Sequence, residues 1–421
     1  MKFVEFGLHP KITKSIEELG YKRPTDIQYK AIPHILKGED VLAIAQTGTG
    51  KSAAFVIPAL QLLSKKRKDR EKGVRCIVMV PTHELAMQIT DVFKQIGKNT
   101  SLSFTAIYGG VDYKDQVERL EKGTDIVVST PGRLFDYINQ GVIKVSNAEM
   151  LILDEADHML DLGFYKDIQD LIKYLPKNRQ TLFFSATIDK KIKKLAYALV
   201  RKPIRIQISP KNPVAKNIDH SVAFIKMDDK RFFLERVMKS NPDKKVLVFV
   251  RTKVRCERVL KAMERVGIDT VSIHSDKSQT ERDEVMKKFK SGEVKLLIAT
   301  DVSARGIDIP NVDFVVNYDL PEQAENYVHR VGRTGRGKQK GHAIAFCSSE
   351  EKELLTAIEE YTGYPIDITD INHEEYADTI DFSAEAHNDW KTLMRMAEEE
   401  EEAYLEVKKK NAKKKAKKKK K

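Results

Sequence analysis

From about Asp40 to about Cys347, short aliphatic and β-branched runs alternate with longer stretches of helical apolar periodicity, the signature of α/β domains. In the first half, Val41–Ala45, Arg75–Val80, Asp125–Thr130, Met150–Asp154 and Thr181–Ala186 read as strands. Several are apolar throughout, as parallel strands covered by helices on both faces should be. The second half repeats the theme in Lys245–Val250, Thr270–Ile273, Lys295–Thr300, Asp313–Tyr318 and His342–Cys347. Between the two series, residues 207–217 (QISPKNPVAKN) mix proline, asparagine and lysine without periodicity, as a linker does. The pattern predicts two tandem α/β domains, each a parallel sheet flanked by helices, over residues 1–208 and 218–366. Residues 367–407 form an acidic extension, with an acidic stretch through Asp381 and a helix from about Ala384, and residues 408–421 a basic tail. A chain of 421 residues is longer than one hydrophobic core usually supports, which agrees with this division.

Charge changes the picture only at the end of the chain. The net charge is +12, but residues 408–421 hold eleven lysines and no acid, so residues 1–407 carry only about +1. A block of like charge resists burial, so this tail is expected to be disordered. It would attract phosphate backbones in a salt-dependent way, or serve only as a solubilising tail. The acidic block Glu398–Glu402 stands just before it and would compete in cis. No run of eighteen apolar residues occurs, and the opening MKFVEFGLHP has no apolar signal stretch, so a cytoplasmic protein without a membrane partner is expected. Cys76, Cys256 and Cys347 are scattered and read as core residues rather than a disulfide or zinc framework.

Seven motifs stand in order at or near the ends of predicted strands, where open α/β sheets place ligands. They are AQTGTGKS (Ala45–Ser52), PTHELA (Pro81–Ala86), TPGR (Thr130–Arg133), DEAD (Asp154–Asp157), SAT (Ser185–Thr187), ARGID (Ala304–Asp308) and HRVGRTGR (His329–Arg336). The first follows a strand and opens a helical pattern, the context that gives a P-loop pattern its force. Gly48 and Gly50, with Thr47 and Thr49 in the same loop, let backbone amides curl toward phosphate oxygens. Lys51 can reach the β- and γ-phosphates, and Ser52 can ligate Mg2+. Asp154 ends a buried-looking strand, placed to hold Mg2+ through its waters, and Glu155 can orient and deprotonate an attacking water. A glycine-rich turn or an acidic tetrapeptide alone would mean little, but together they describe a nucleoside-triphosphate site. HRVGRTGR adds Arg333 and Arg336 from well over a hundred residues away, so the engine is split between two lobes. Without a Cys/His cluster, a preformed transition-metal centre is not supported.

Taken together, AQTGTGKS, DEAD, SAT and HRVGRTGR resemble the DEAD-box RNA helicases, and the brevity of the chain resembles their bacterial RhlE-like branch. The resemblance covers residues 1 to about 366. It implies two RecA-like P-loop domains that close over ATP, bend single-stranded RNA and separate short duplexes locally. GYKRPTDIQ (Gly20–Gln28) is similar to the family's adenine-reading motif, which implies that Gln28 pairs with adenine and Thr25 organises the phosphate loop. Phe3 stands where the family sets a ring against the base, with Phe6 as a substitute and core packing as the alternative for Phe3. The resemblance further implies that Asp308 contacts the ribose and that Arg333 and Arg336 reach the γ-phosphate. It assigns coupling between ATP and RNA to Asp157, Ser185, Thr187 and His329. RNA would meet Pro81, Thr82, Gly110, Thr130, Arg133, Gln279, Arg282 and Thr300, with Arg133 and Arg282 as phosphate clamps. Such contacts track a backbone rather than read bases.

Two positions depart from the family pattern. His83 replaces the arginine of PTRELA, which removes a permanent charge and would weaken or pH-sensitise that contact, and Ser275 replaces a glycine after His274. The implied settings are pre-ribosomal particles, the RNA-degradation machinery and cold adaptation, and no residue chooses among them. Two rival readings are a DNA-translocating helicase of the wider two-lobed superfamily and a non-enzymatic RNA clamp or annealing chaperone. The DEAD and adenine motifs speak against the first, and intact Lys51, Glu155 and Arg333 against the second.

Overall fold

The computed structural model describes residues 2–45, 48–64, 73–109, 113–208, 214, 217–304, 309, 312–335 and 340–381. The first half forms a seven-stranded sheet from β1 (Val41–Ala45), β2 (Cys76–Met79), β3 (Phe104–Ile107), β4 (Ile126–Ser129), β5 (Met150–Leu153), β6 (Gln180–Ser185) and β7 (Ile204–Ile208). Their order is β3-β4-β2-β5-β6-β1-β7 and every pairing is parallel. The second half forms another from β8 (Ile218–Phe224), β9 (Val246–Val250), β10 (Thr270–Ile273), β11 (Leu296–Thr300), β12 (Phe314–Asn317), β13 (Gly341–Cys347) and β14 (Asp367–Ile368). It runs β10-β11-β9-β12-β13-β8-β14, again wholly parallel.

Helices cover both faces of each sheet, which is why the central strands are apolar at every position. In β1, Val41, Ala43 and Ala45 pack into one core while Leu42 and Ile44 pack into the core on the opposite face. In β9, Leu247 and Phe249 alternate in the same way with Val246, Val248 and Val250. The helix Lys51–Leu63 is buried along nearly its whole length, and its Phe55 meets Phe184 of β6 at 5.2 Å between ring centroids. Burying each such side chain stabilises the fold by about 1.5–3 kcal/mol. Asp40 ties three elements at the base of this sheet: its buried carboxylate accepts from Thr181 N at 2.8 Å and Arg201 N at 2.7 Å.

The ten strands read from the pattern are all present, and four more join them. Of these, β3, β7 and β14 lie at sheet edges and β8 next to an edge, where burial is partial and the apolar signal is diluted. The second sheet continues to Ile368, just past residue 366. The acidic stretch after it is itself helical over His373–Asp381. That helix docks because Tyr376 stacks near Phe233 (5.0 Å) and its hydroxyl donates to Asp229 at 2.8 Å and accepts from Lys226 N at 3.0 Å. The helix expected from Ala384, the block Glu398–Glu402 and the lysine tail lie outside the described residues.

Candidate active site between the lobes

Sheet order explains why distant motifs converge. β6 lies between β1 and β5, so SAT at its end sits between the P-loop and DEAD. Register aligns them: Ile44 pairs with Ser185, and Leu153 with Phe183.

Gly48 (φ 80°) and Gly50 (φ 89°) occupy the left-handed region, as the loop reading requires. Gly50 also has no room for a side chain, since a Cβ there would lie 2.6 Å from Gln28 Nε2 and 3.0 Å from Thr25 Oγ1. Those two residues form a capping box at the start of the helix Asp26–Leu36. Thr25 N donates to Gln28 Oε1 and Gln28 Nε2 donates to Gly50 O, both at 3.0 Å. Buried Gln28 therefore locks the phosphate loop and keeps one N–H and one lone pair for a base. Phe3 is only 3% exposed and packs against Phe6 and Tyr21, so its ring serves the core, while the half-buried Phe6 beside it keeps an accessible surface. Gly50→Ala should raise the ATP KM about tenfold or more, because left-handed backbone at an L-residue costs roughly 1–2 kcal/mol before Gln28 is displaced. Steady-state ATPase titration measures this, and an unchanged KM would remove the loop-locking role.

Lys51 is 6% exposed, and its Nζ has no hydrogen-bond partner among the described residues. Asp154 is likewise buried; burial pushes its carboxyl up to about 6 although Lys51 pulls the other way. A buried ammonium without an acceptor fits phosphate oxygens, and a buried carboxylate with raised proton affinity fits a cation. Ser52, half-buried in the first turn after Gly50, completes a donor set suited to Mg2+, which takes few protein ligands and keeps waters.

Glu155, next to Asp154, has a left-handed backbone, at φ 52° and ψ 48°. Only one other described non-glycine residue, Lys202, has a positive φ. Such backbone stores about 1–3 kcal/mol and is concentrated where function demands it. Burial would raise the Glu155 carboxyl, but His158 (3.6 Å from Oε2), Lys51 and Arg333 outweigh it and hold it at about 2. Arg333 belongs to the other lobe, so its charge reaches the DEAD carboxylate across the cleft. Asp157 Oδ2 accepts from Ala186 N (3.1 Å), Thr187 N (3.2 Å) and Thr187 Oγ1 (3.4 Å), joining DEAD to SAT. Ser185 is buried beside them, and its Oγ has no partner among the described residues. His329 is half-buried on the helix Ala324–Val331. Thr49 lies half-buried in the loop, whereas Thr47, Gly110, Asp308 and Arg336 lie outside the described residues.

On the other side of β5, β2 and β4 lead into Pro81–Thr82 and Thr130. Thr82 caps the helix His83–Gly97 by accepting from Leu85 N at 3.3 Å, and Thr130 precedes the helix Pro131–Asn139. Arg133 lies 5.5 Å over the Tyr137 ring. From the second lobe, Gln279 donates to Asp283 at 2.8 Å and leaves a buried Oε1 without a partner, and Thr300 ends β11, also buried. The two lobes thus present helix starts, an arginine and an unsatisfied amide oxygen at these strand ends.

The DEAD/DEAH box helicase family model matches residues 25–195, and that of the helicase conserved C-terminal domain residues 229–338. The ATP-dependent RNA helicase RhlB of Shewanella piezotolerans is 39% identical over 384 residues, spanning 90% of this chain and 88% of its own. The chain belongs to the DEAD-box RNA helicase family. CshA of Listeria monocytogenes, another ATP-dependent RNA helicase, is 40% identical over 363 residues, or 86% of this chain and 69% of its own. Among solved structures, S. cerevisiae Dbp5 bound to RNA and ADP BeF3 matches with a TM-score of 0.79 at 30% identity, over 90% of this chain and 97% of its own. Mss116 bound to ssRNA and UDP-BeF matches at 0.80 and 28% identity, over 91% and 82%.

Several contacts in this helicase's cleft are not legible in the sequence. Arg282 is not an open phosphate clamp here: its Nη2 lies 3.0 Å from Glu84 Oε1 of the first lobe and 3.5 Å from Ser303 O. The Glu84 contact is an ion pair rather than an aligned hydrogen bond, since neither Glu84 oxygen has a hydrogen-bond partner among the described residues. Arg330, between the expected arginines and His329, is 1% exposed and grips Asp301 through two bonds of 2.6 and 2.7 Å. Its remaining nitrogen donates to Asn317 Oδ1 and Asp319 O, so it anchors the motif helix to the ends of β11 and β12. His274 is turned away to Glu257 at 2.9 Å, a carboxylate that also accepts from Ser272, while Ser275 stays exposed beside Asp276.

His83 alters the expectation of a charged contact. Burial holds its pKa below the ordinary histidine value, aided by Arg282 and opposed by Glu84 and Asp283; the Tyr108 ring covers it at 5.7 Å. Its packing therefore favours neutral imidazole. Above about pH 6.5 the buried and exposed forms are both neutral and nothing changes. Below that value an opened, solvated His83 takes up a proton that the packed form refuses, so closure weakens as pH falls. RNA-stimulated turnover should drop between about pH 7 and 5.5 more steeply in the natural protein than in His83→Gln. Parallel pH profiles would refute this.

Proposed function

We propose the following division of labour for this RNA-dependent ATPase and helicase. The observation that carries it is Glu155, a strained buried carboxylate at the end of a central strand, facing Lys51 and an arginine from the opposite lobe. Amides of the P-loop and Lys51 bind the ATP phosphates, while Gln28 offers its remaining amide groups to adenine. Ser52 and Asp154 would hold Mg2+, which supplies positive charge to the β- and γ-phosphates when bound. Glu155 orients the attacking water and accepts its proton. Arg333, with Arg336, stabilises charge developing on the transferred phosphoryl group, and does so only when the lobes close.

RNA lies along the ends of β2, β4, β10 and β11, held by Thr82, Thr130, Arg133 and Gln279. Phosphates compete with Glu84 for Arg282, so the interlobe ion pair is exchanged for an RNA contact. The Asp157–Thr187 bonds pass the state of the γ-phosphate to the strand ends that meet RNA. ATP and RNA then favour the same closed arrangement, and each strengthens the other's binding. A strand bent in the cleft fits a duplex poorly, so short duplexes separate. An RhlE-like placement is part of this reading, although the relatives described above carry the names RhlB and CshA. A cytoplasmic setting on pre-ribosomal particles or the RNA-degradation machinery completes the proposal; no described helix is long and apolar enough to cross a membrane.

The test is ATP hydrolysis without nucleic acid, with single-stranded RNA and with matched single-stranded DNA. Selective stimulation by RNA is expected. Equal stimulation by DNA would favour a general helicase, and no hydrolysis at all would favour a clamp or annealing chaperone.

A further inference from the structure

Between Lys177 and Arg205 the chain carries nine basic residues and one acid, Asp189, although residues 1–407 as a whole are nearly neutral. Four of the nine fall in the first five residues of the helix Lys190–Leu199. That helix buries Ile192, Leu195, Ala196 and Leu199 against the sheet, leaving Lys190, Lys191, Lys193, Lys194 and Tyr197 exposed. Asp189 is spent as the cap, accepting from Ile192 N at 2.7 Å. None of the four lysines forms an ion pair among the described residues.

Folding does not explain this pattern. The start of a helix carries about half a positive charge, so cations there are unfavourable and acids would stabilise. The basic surface also continues past the helix. Arg201 and Lys202 follow it, and Arg205 is exposed on edge strand β7, alternating with Ile204 and Ile206 of the opposite face. Arg179 is near enough to Arg201 that, after burial, Arg201 is the main influence lowering its pKa. The acid that acts on Arg179, Asp40, is occupied by the Thr181 and Arg201 amides. Concentrated like charge with no ion-pair partner among the described residues creates a field suited to a polyanion. Tyr197, 49% exposed among the lysines, adds an aromatic face of the type that stacks on bases.

We propose that this face of the first lobe is a second RNA-binding surface, holding backbone phosphates of RNA that extends beyond the cleft. It begins three residues after Thr187, at the rim of the cleft, and runs about 15 Å along the helix toward Arg201. It shares its sheet face with the helix Pro131–Asn139 that carries Arg133. The inference rests on the RNA-dependent reading above and adds a surface outside the motifs.

The experiment uses the full chain with Lys190, Lys191, Lys193 and Lys194 changed together to Glu, and a second version with all four changed to Gln. Acids at a helix start favour the helix, so folding is retained, and thermal unfolding checks this. Oligouridine of about 10 nucleotides fills the cleft, whereas about 40 nucleotides reaches the helix as well. The half-saturating concentration of the long RNA in the ATPase assay should rise about tenfold in the Glu variant and less in the Gln variant. Its slope of log affinity against log salt should shrink by roughly 2–3, as loss of four phosphate contacts requires. Basal hydrolysis and stimulation by the short RNA should be unchanged. Unchanged long-RNA affinity would overturn the proposal, as would equal loss on both lengths, which would place the lysines in the cleft site. Retained RNA binding with lost polyglutamate binding would instead assign the face to an acidic protein. If the natural protein shows no stimulation by the short RNA, the RNA-dependent reading itself fails, independently of these variants.

Discussion

Glu155→Gln should abolish turnover while leaving both ligands bound. The amide matches the carboxylate in shape but cannot accept the proton of the attacking water, and general-base catalysis is typically worth about 10²–10⁴ in rate. ATP hydrolysis with saturating RNA should therefore fall at least about 100-fold. Binding should persist or tighten, because the change removes a negative charge from beside the γ-phosphate position without touching Lys51 or the capping box of Thr25 and Gln28. Stopped hydrolysis assays and nucleotide-dependent RNA binding read the two effects separately. Turnover within a few-fold of the natural protein would remove Glu155 from the water-activating role. Loss of ATP binding would mean that its αL turn holds up the site rather than working in it.

A second large effect is expected far from the reacting atoms. In Asp301→Asn, the Arg330 guanidinium, 1% exposed, would keep only neutral partners in Asn317 and the Asp319 carbonyl. Breaking a buried pair in this way costs about 3–5 kcal/mol, because the remaining charge is left uncompensated. For a unit of this size the unfolding transition should drop by roughly 10 °C, with RNA-stimulated ATPase falling as the motif helix loosens. Replacing Arg330 and Asp301 together by Met and Leu should recover much of the thermal loss, since it leaves no orphaned charge. Differential scanning calorimetry distinguishes these outcomes. An Asp301→Asn protein as stable as the natural one would show that the pair contributes little to the second lobe.

The difference between these two residues shows what could be read from the chain alone. Glu155 was legible because its neighbours in sequence are also its neighbours in chemistry: a strand end, Asp154 and a P-loop whose spacing has one common use. Arg330 was not, because three arginines occur within seven residues and nothing local says which one turns inward. That choice depends on Asp301 and Asn317 arriving at the ends of two other strands. Glu84 was hidden for a similar reason, as its partner Arg282 lies in the other lobe. His158, 3% exposed with neither ring nitrogen hydrogen-bonded among the described residues, is placed only by the turn that Glu155 makes. The strands divide along the same line. Fully covered ones such as β1 and β9 announce themselves by apolar runs, whereas β7, with alternating Ile and polar residues at a sheet edge, is fixed mainly by its pairing with β1.

The left-handed turn at Glu155 has a consequence for how such a protein can change over generations. A glycine there would relax the backbone, but it would also remove the carboxylate that His158, Lys51 and Arg333 face. Any heat resistance gained by relaxing this turn is therefore gained at the position where it ends catalysis. Only continuous selection for turnover keeps a carboxylate in that turn, and lineages released from it are free to become sturdier and inert.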